Sequence, residues 1–256
     1  GPDGAVPVRV YRPESDGGGS LPALVYYHGG GWTLGTLDSI DAACRELADR
    51  VGCVVVSVDY RLAPEHPFPA AVDDAYAAVR WTARNAGAFG ADPGRVGVAG
   101  TSAGANLAAV TALRLREEPV SALDLAAQLL CYPITDHAFD TDSYEENADG
   151  PLLTRADVGW FWERYLRSPV DGANPYASPL RARDLSGLPP ACVVTAGHDP
   201  LRDEGVAYAD RLAEAGVTTA REHYPSMPHG FLSLVDDVAV ADRAMDAVAD
   251  RLREWL

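Results

Sequence analysis

Positive charge is scarce in this chain. Lysine and arginine together number 21 against 37 aspartates and glutamates, a formal charge of −16 over 256 residues. A surface of that sign repels phosphate backbones and anionic membrane faces, so no nucleic-acid partner is expected. Cysteine is scarce too. The four, Cys44, Cys53, Cys131 and Cys192, are widely spaced, and three lie in apolar strand-like runs. This is neither a disulfide framework nor a metal knuckle; it reads as buried free thiols in a reducing compartment. No apolar run approaches the roughly 18 residues of a membrane span. No signal-peptide pattern opens the chain, so the expected location is the cytoplasm. The six histidines hold no H-x-x-x-H pair, so no zinc site is expected. Gly1-Pro2 reads equally as a native start or as the scar of a removed tag.

What is present suits one large core. Hydrophobic residues make up 47% and charged residues 23%, the balance of a globular domain and not of a disordered or fibrous chain. The stretch Gly100-Thr101-Ser102-Ala103-Gly104 follows an apolar strand-like run and precedes a helix-compatible run over 103–115. A serine on a sharp strand-to-helix corner needs neighbours without bulk, which Gly100, Ala103 and Gly104 supply. The pattern is weak by itself, and its context strengthens it.

Strands are expected over 6–11, 24–27, 53–58, 125–132, 191–196 and 218–224, besides the one ahead of Ser102. Helices are expected over 37–51, from 70 onward, and over 103–115, 154–166, 203–215 and 235–255. Residues 15–20 read as a Gly-rich loop, and the proline-rich 61–69 as irregular. Alternating strands and helices point to right-handed crossovers and a mostly parallel sheet. The alternation breaks between 135 and 190, where an insertion is expected to form a lid or cap over the active face. The division expected is thus a core of 1–134 and 191–256 around a cap of 135–190.

A serine hydroxyl is a poor nucleophile until a histidine takes its proton and a carboxylate holds that histidine. On this kind of sheet the order along the chain is serine, acid, histidine, each at the carboxyl end of a strand. Asp199 follows the strand over 191–196 and His229 follows the one over 218–224. Asp203 is a rival acid but reads as a first-turn helix residue. His223 falls inside a strand, and His198 is expected in a loop. His28-Gly29-Gly30-Gly31 is the more specific signal. Three glycines leave backbone N–H groups free to face a developing oxyanion, with Gly30 and Gly31 as donors and Ala103 as the third. No lysine follows as a phosphate loop would require. His28 reads as an orienting loop residue. Trp32, Leu34, Tyr132, Trp160, Phe161 and Tyr165 are candidates for the pocket wall, although aromatics at helical spacing more often belong to a core.

Five motifs in order, His28-Gly-Gly-Gly-Trp32, Asp59-Tyr-Arg-Leu-Ala-Pro-Glu65, Gly100-Thr-Ser-Ala-Gly104, Asp199-Pro-Leu-Arg-Asp-Glu-Gly205 and His229-Gly-Phe231, resemble the hormone-sensitive-lipase-like carboxylesterases, bacterial family IV. The resemblance implies an α/β-hydrolase fold, with an eight-stranded sheet flanked by helices and a helical cap. It implies hydrolysis of small-molecule esters with short to medium acyl chains, and no cofactor or metal. Many relatives carry Asp where this chain has Thr101. The family usually has several dozen further residues ahead of the Asp3-Gly4 turn, forming part of the cap; without them a more open pocket is expected, and a homodimer mate is one way of covering it. Two other functions stay open at this point: a catalytically silent ligand-binding protein on the same scaffold, against which His229 counts, and an amide-bond hydrolase such as an aryl-formamidase.

Overall fold

A computed structural model of the chain describes residues 1–14, 19–119, 123–235 and 237–256. Most of the Gly-rich loop expected over 15–20, namely 15–18, lies outside the described residues, as does residue 236 in the helix expected over 235–255. Seven strands form one sheet: β1 (Val8–Tyr11), β2 (Leu21–Tyr27), β3 (Val54–Val58), β4 (Ala91–Thr101), β5 (Leu125–Cys131), β6 (Ala191–His198) and β7 (Thr219–Pro228). Their order across the sheet is β1-β3-β2-β4-β5-β6-β7. β1 pairs antiparallel with β3, and every other pairing is parallel. The resemblance implied eight strands; seven form among the described residues. β1 also starts at Val8 and not at Val6, because Pro7 has no N–H to give a ladder; its carbonyl instead accepts from Asp59 N at 3.0 Å.

Parallel pairing needs crossovers, and seven helices supply or extend them: α1 (Asp41–Val51), α2 (Ala70–Asn85), α3 (Ala103–Glu117), α4 (Asp142–Glu146), α5 (Arg155–Tyr165), α6 (Arg202–Glu214) and α7 (Ala239–Trp255). Alternate strand residues face opposite sides. Val25, Val98, Leu130 and Val193 face the core under α2, α3 and α6. Leu24, Tyr26, Leu129 and Val194 face a second core under α1 and α7. β3 is buried along its whole length, which is why Val-Val-Val-Ser-Val reads as a continuous apolar run without alternation.

Two elements depart from expectation in ways that matter for the site. β6 runs on to His198, so that histidine closes a strand and does not sit in a loop. β7 runs on to Pro228, so His229 comes directly off the strand end. Between β5 and β6 lie α4, α5 and two short 3-10 turns. α5 is started by Thr154, whose hydroxyl accepts from Asp157 N while the Asp157 carboxylate accepts from Thr154 N. It is anchored by Tyr165, stacked on Trp32 with ring centroids 4.0 Å apart and planes 5° from parallel. No helix among the described residues is long and apolar enough to cross a membrane.

Candidate active site

The turn from β4 into α3 passes through Ser102 at φ 55° and ψ −120°, a region that costs a non-glycine residue about 1–3 kcal/mol. Close approach of α3 to the end of β2 sustains that strain. A Cβ on Gly104 would overlap the carbonyl oxygens of Tyr27 and His28, and one on Gly100 would overlap the backbone of Gly104. Ser102 N donates to Cys131 O at 2.9 Å, tying the corner to the neighbouring strand.

His229 reaches this corner from the end of β7. Its Nε2 lies 3.0 Å from Ser102 Oγ, and its Nδ1 lies 2.7 Å from Asp199 Oδ2. Asp199, with no exposed surface, sits between the end of β6 and the start of α6. Its second oxygen accepts from Leu201 N at 2.9 Å, so both carboxylate oxygens have a hydrogen-bonding neighbour. The His229 imidazole meets the Tyr132 ring edge-on at 4.8 Å. The chain therefore brings together hydroxyl, imidazole and carboxylate in hydrogen-bonded series, the arrangement that raises a serine's nucleophilicity.

Opposite them runs the glycine loop. Gly30 and Gly31 adopt φ of +107° and +57°, and among the described residues neither N–H donates to a backbone carbonyl. Ala103 opens α3, so its N–H is one of the four a helix leaves unpaired. His28 backs the loop. It stacks on Tyr60 at 4.3 Å, its Nδ1 lies 2.7 Å from Gly29 O, and its carbonyl accepts from Tyr60 Oη at 2.8 Å. Burial pulls the His28 pKa below the usual imidazole range, which favours the neutral ring.

A cavity of about 410 Å³ opens at Ser102. Of the six aromatic and aliphatic wall candidates, Leu34, Tyr132 and Phe161 line it. Trp32 and Tyr165 instead stack on each other inside the core, fully buried. Trp160 faces outward, 44% exposed, beneath the Arg164 guanidinium. The rivals are also placed apart. Asp203 accepts from Ser143 N and pairs with Arg202, and His223 Nδ1 meets Thr195 Oγ1 within the sheet.

Sequence reasoning missed the fastening behind Asp199. Ser143 Oγ donates to Pro200 O at 2.7 Å, Asn147 Nδ2 to Asp199 O at 3.4 Å, and Tyr144 Oη to Glu204 Oε2 at 3.0 Å. The five-residue α4 thus stitches the 135–190 segment to the acid loop. It is too short to show a helical period, and the acidic run around it reads as solvated surface. No group of three or more His, Cys, Asp or Glu among the described residues is placed to hold a metal ion.

Residues 24–233 match the family model described as alpha/beta hydrolase fold. The carboxylic ester hydrolase LipN of Mycobacterium tuberculosis is 51% identical over 242 residues, which are 91% of this chain and 63% of LipN. Carboxylesterase NlhH of the same organism is 46% identical, over 93% of this chain and 75% of NlhH. This chain therefore spans less than two thirds of LipN and three quarters of NlhH. An ester hydrolase from the metagenome of Lake Arreo, solved with a derivative of bipyridine phosphonate, superposes with a TM-score of 0.92 at 46% identity, covering 97% of this chain and 78% of that one.

Proposed function

This chain belongs to the α/β-hydrolase family, among its hormone-sensitive-lipase-like carboxylesterases, and on that footing we propose that it is a serine carboxylesterase acting on small esters through an acyl-enzyme. The observation that carries the reading is the series Ser102 Oγ, His229 Nε2, His229 Nδ1, Asp199 Oδ2, with gaps of 3.0 and 2.7 Å.

Ser102 Oγ attacks the ester carbonyl carbon as its proton passes to His229 Nε2. Asp199 holds the imidazole by its Nδ1–H and stabilises the imidazolium. The carbonyl oxygen becomes an oxyanion facing the N–H groups of Gly30, Gly31 and Ala103, whose dipoles are aligned before reaction. Collapse breaks the bond to the alcohol oxygen, which takes the proton from Nε2 and leaves. Water then gives a proton to Nε2 and attacks the acyl carbon. The second collapse returns that proton to Ser102 Oγ and frees the carboxylic acid.

Residues 135–190 serve as the cap in this reading, with Phe161 and Leu152 above the nucleophile. The four buried free thiols suit the cytoplasm. A homodimer belongs to the same proposal, with the edge strand β7 as an available pairing surface; sedimentation equilibrium tests it. Hydrolysis of p-nitrophenyl esters by the wild type and by Ser102→Ala tests the activity. The variant is expected to lose roughly 10⁴-fold or more in kcat. Equal rates for the two proteins would remove Ser102 from the mechanism.

A further inference from the structure

The cavity at Ser102 has two unlike ends. Its rim, at the carboxyl ends of the strands, carries Leu34 and Leu152, which are 56% and 74% exposed. Its other end is a well between the sheet and two helices, with Leu129 of β5, Leu47 of α1, and Met245 and Val248 of α7 on its wall and floor. Each of these four is at most 2% exposed.

Two independent measures give the depth of the well. Leu129 pairs with Ala99, three residues before Ser102 on β4, so it lies about 10 Å below the nucleophile at the strand rise. α1 runs back down the sheet, because it links the parallel strands β2 and β3. From Ile40 at its start to Leu47 on the wall is seven residues, also about 10 Å at the helical rise. The well is therefore a straight shaft beside Ser102, and no charged side chain lines it. Tyr26, also on its wall, has its hydroxyl turned to Thr101 Oγ1.

We infer that this shaft takes the acyl chain of the ester, unbranched, and that Leu47, Met245 and Val248 set how long it can be. The inference rests on the acyl-enzyme reading proposed above. In that scheme the alcohol must leave and water must enter while the acyl group stays bound to Ser102 Oγ. The part that leaves needs the exposed rim; the part that stays can occupy a buried apolar shaft. Each methylene entering the shaft is expected to raise kcat/KM roughly fourfold, from the transfer free energy of a buried methylene. The rise ends where the chain meets the floor.

The test is a pair of ester series run on the same proteins. One lengthens the acyl chain of p-nitrophenyl esters from acetate to laurate. The other lengthens the alcohol of straight-chain acetates, followed by pH-stat. Val248→Phe raises the floor and is expected to lower the octanoate-to-acetate ratio of kcat/KM at least tenfold; Val248→Ala and Met245→Ala are expected to raise it. The alcohol series should keep its wild-type ratios in all three. A shift confined to the alcohol series would overturn the inference, since the shaft would then hold the leaving group. Unchanged ratios in both series, with melting curves showing folded variants, would also overturn it. Either result leaves the esterase reading standing, because Ser102-dependent acetate hydrolysis by the wild type is scored separately. If Val248→Phe does not fold, the two alanine variants decide alone.

Discussion

Tyr144 and Glu204 meet oxygen to oxygen at 3.0 Å, joining α4 to the first turn of α6. Glu204 also accepts from Thr135 N at 2.6 Å and Asp136 N at 3.4 Å, and Thr135 Oγ1 donates to its backbone carbonyl. One carboxyl group thus gathers the chain leaving β5, the α4 helix and the acid loop into one junction five residues from Asp199. Burial disfavours its charged form and pushes its pKa up to about 8, while the bonds from Thr135, Tyr144 and Asp136 pull the other way.

Stability should therefore depend on pH through Glu204. The folded protein keeps a proton up to about pH 8 that the unfolded chain releases near the ordinary value of 4.5. Between those limits the folded state binds more protons, so stability falls as pH rises, by up to about 1.4 kcal/mol per pH unit. Glu204→Gln cannot ionise and removes this slope. Urea melts of both proteins from about pH 5 to pH 8 check it, and parallel profiles would show that Glu204 titrates as an ordinary carboxyl.

Tyr132 sits at φ +40°, held by its N–H on Val194 O at 2.6 Å, with its ring edge-on to His229. A bulky residue in that backbone region persists where surrounding structure fixes it, often at a functional site. The ring closes one side of the space in which the imidazole could turn. Tyr132→Ala is expected to lower kcat by about 10- to 100-fold, more than it changes KM, because misplacing a base by about 1 Å carries a penalty of that order. Tyr132→Phe keeps the ring and should stay within a few-fold of wild type. Equal losses in the two variants would shift the role from the ring to the hydroxyl.

The parts of this molecule legible in sequence are those whose chemistry is local. The Ser102 corner, the three-glycine loop and the valine run of β3 each need particular residues within a few positions. The positions of Asp199 and His229 follow from strand ends, which a short periodic pattern marks. What was not legible depends on contacts between distant segments. Trp32 and Tyr165 look like pocket wall until their stacking, across 133 residues of chain, is visible. Met245 and Val248 fall on the apolar stripe of α7, and nothing in a 3.6-residue period separates a side chain that meets another from one that meets a cavity. Asn147, Tyr144 and Glu204 are polar residues whose partners lie more than 50 positions away.

Arg61 and Asp74 form the most buried ion pair outside the active site. Asp74, 1% exposed, accepts from Arg61 N at 2.9 Å, Nε at 2.8 Å and Nη2 at 2.8 Å. Removing one partner strands the other charge in a place with little water. Asp74→Ala is expected to lower stability by about 3–5 kcal/mol, whereas replacing both side chains with well-packed apolar ones should cost much less. Urea denaturation of the single and double variants measures the difference. A single variant within about 1 kcal/mol of wild type would mean that water reaches Arg61 freely.

Two glycines near Ser102 should respond differently to the same added methyl group. At Gly104 the new Cβ would overlap backbone carbonyls of β2, which the sheet holds in place. α3 could then start only by moving away from β2 and carrying Ser102 with it, so Gly104→Ala is expected to give unfolded protein or activity reduced at least 100-fold. At Gly31 the overlap is with the Phe161 ring, a side chain that can rotate, and φ of +57° adds about 1–2 kcal/mol for any residue with a Cβ. Gly31→Ala should therefore fold, with a lower melting temperature and weaker esterase activity. Adding Phe161→Ala removes the clash but not the backbone strain, so the double variant should recover part of the stability lost in Gly31→Ala. A double-mutant cycle on urea midpoints reads the coupling directly. Strict additivity would mean that the Phe161 ring does not rest on Gly31 in solution.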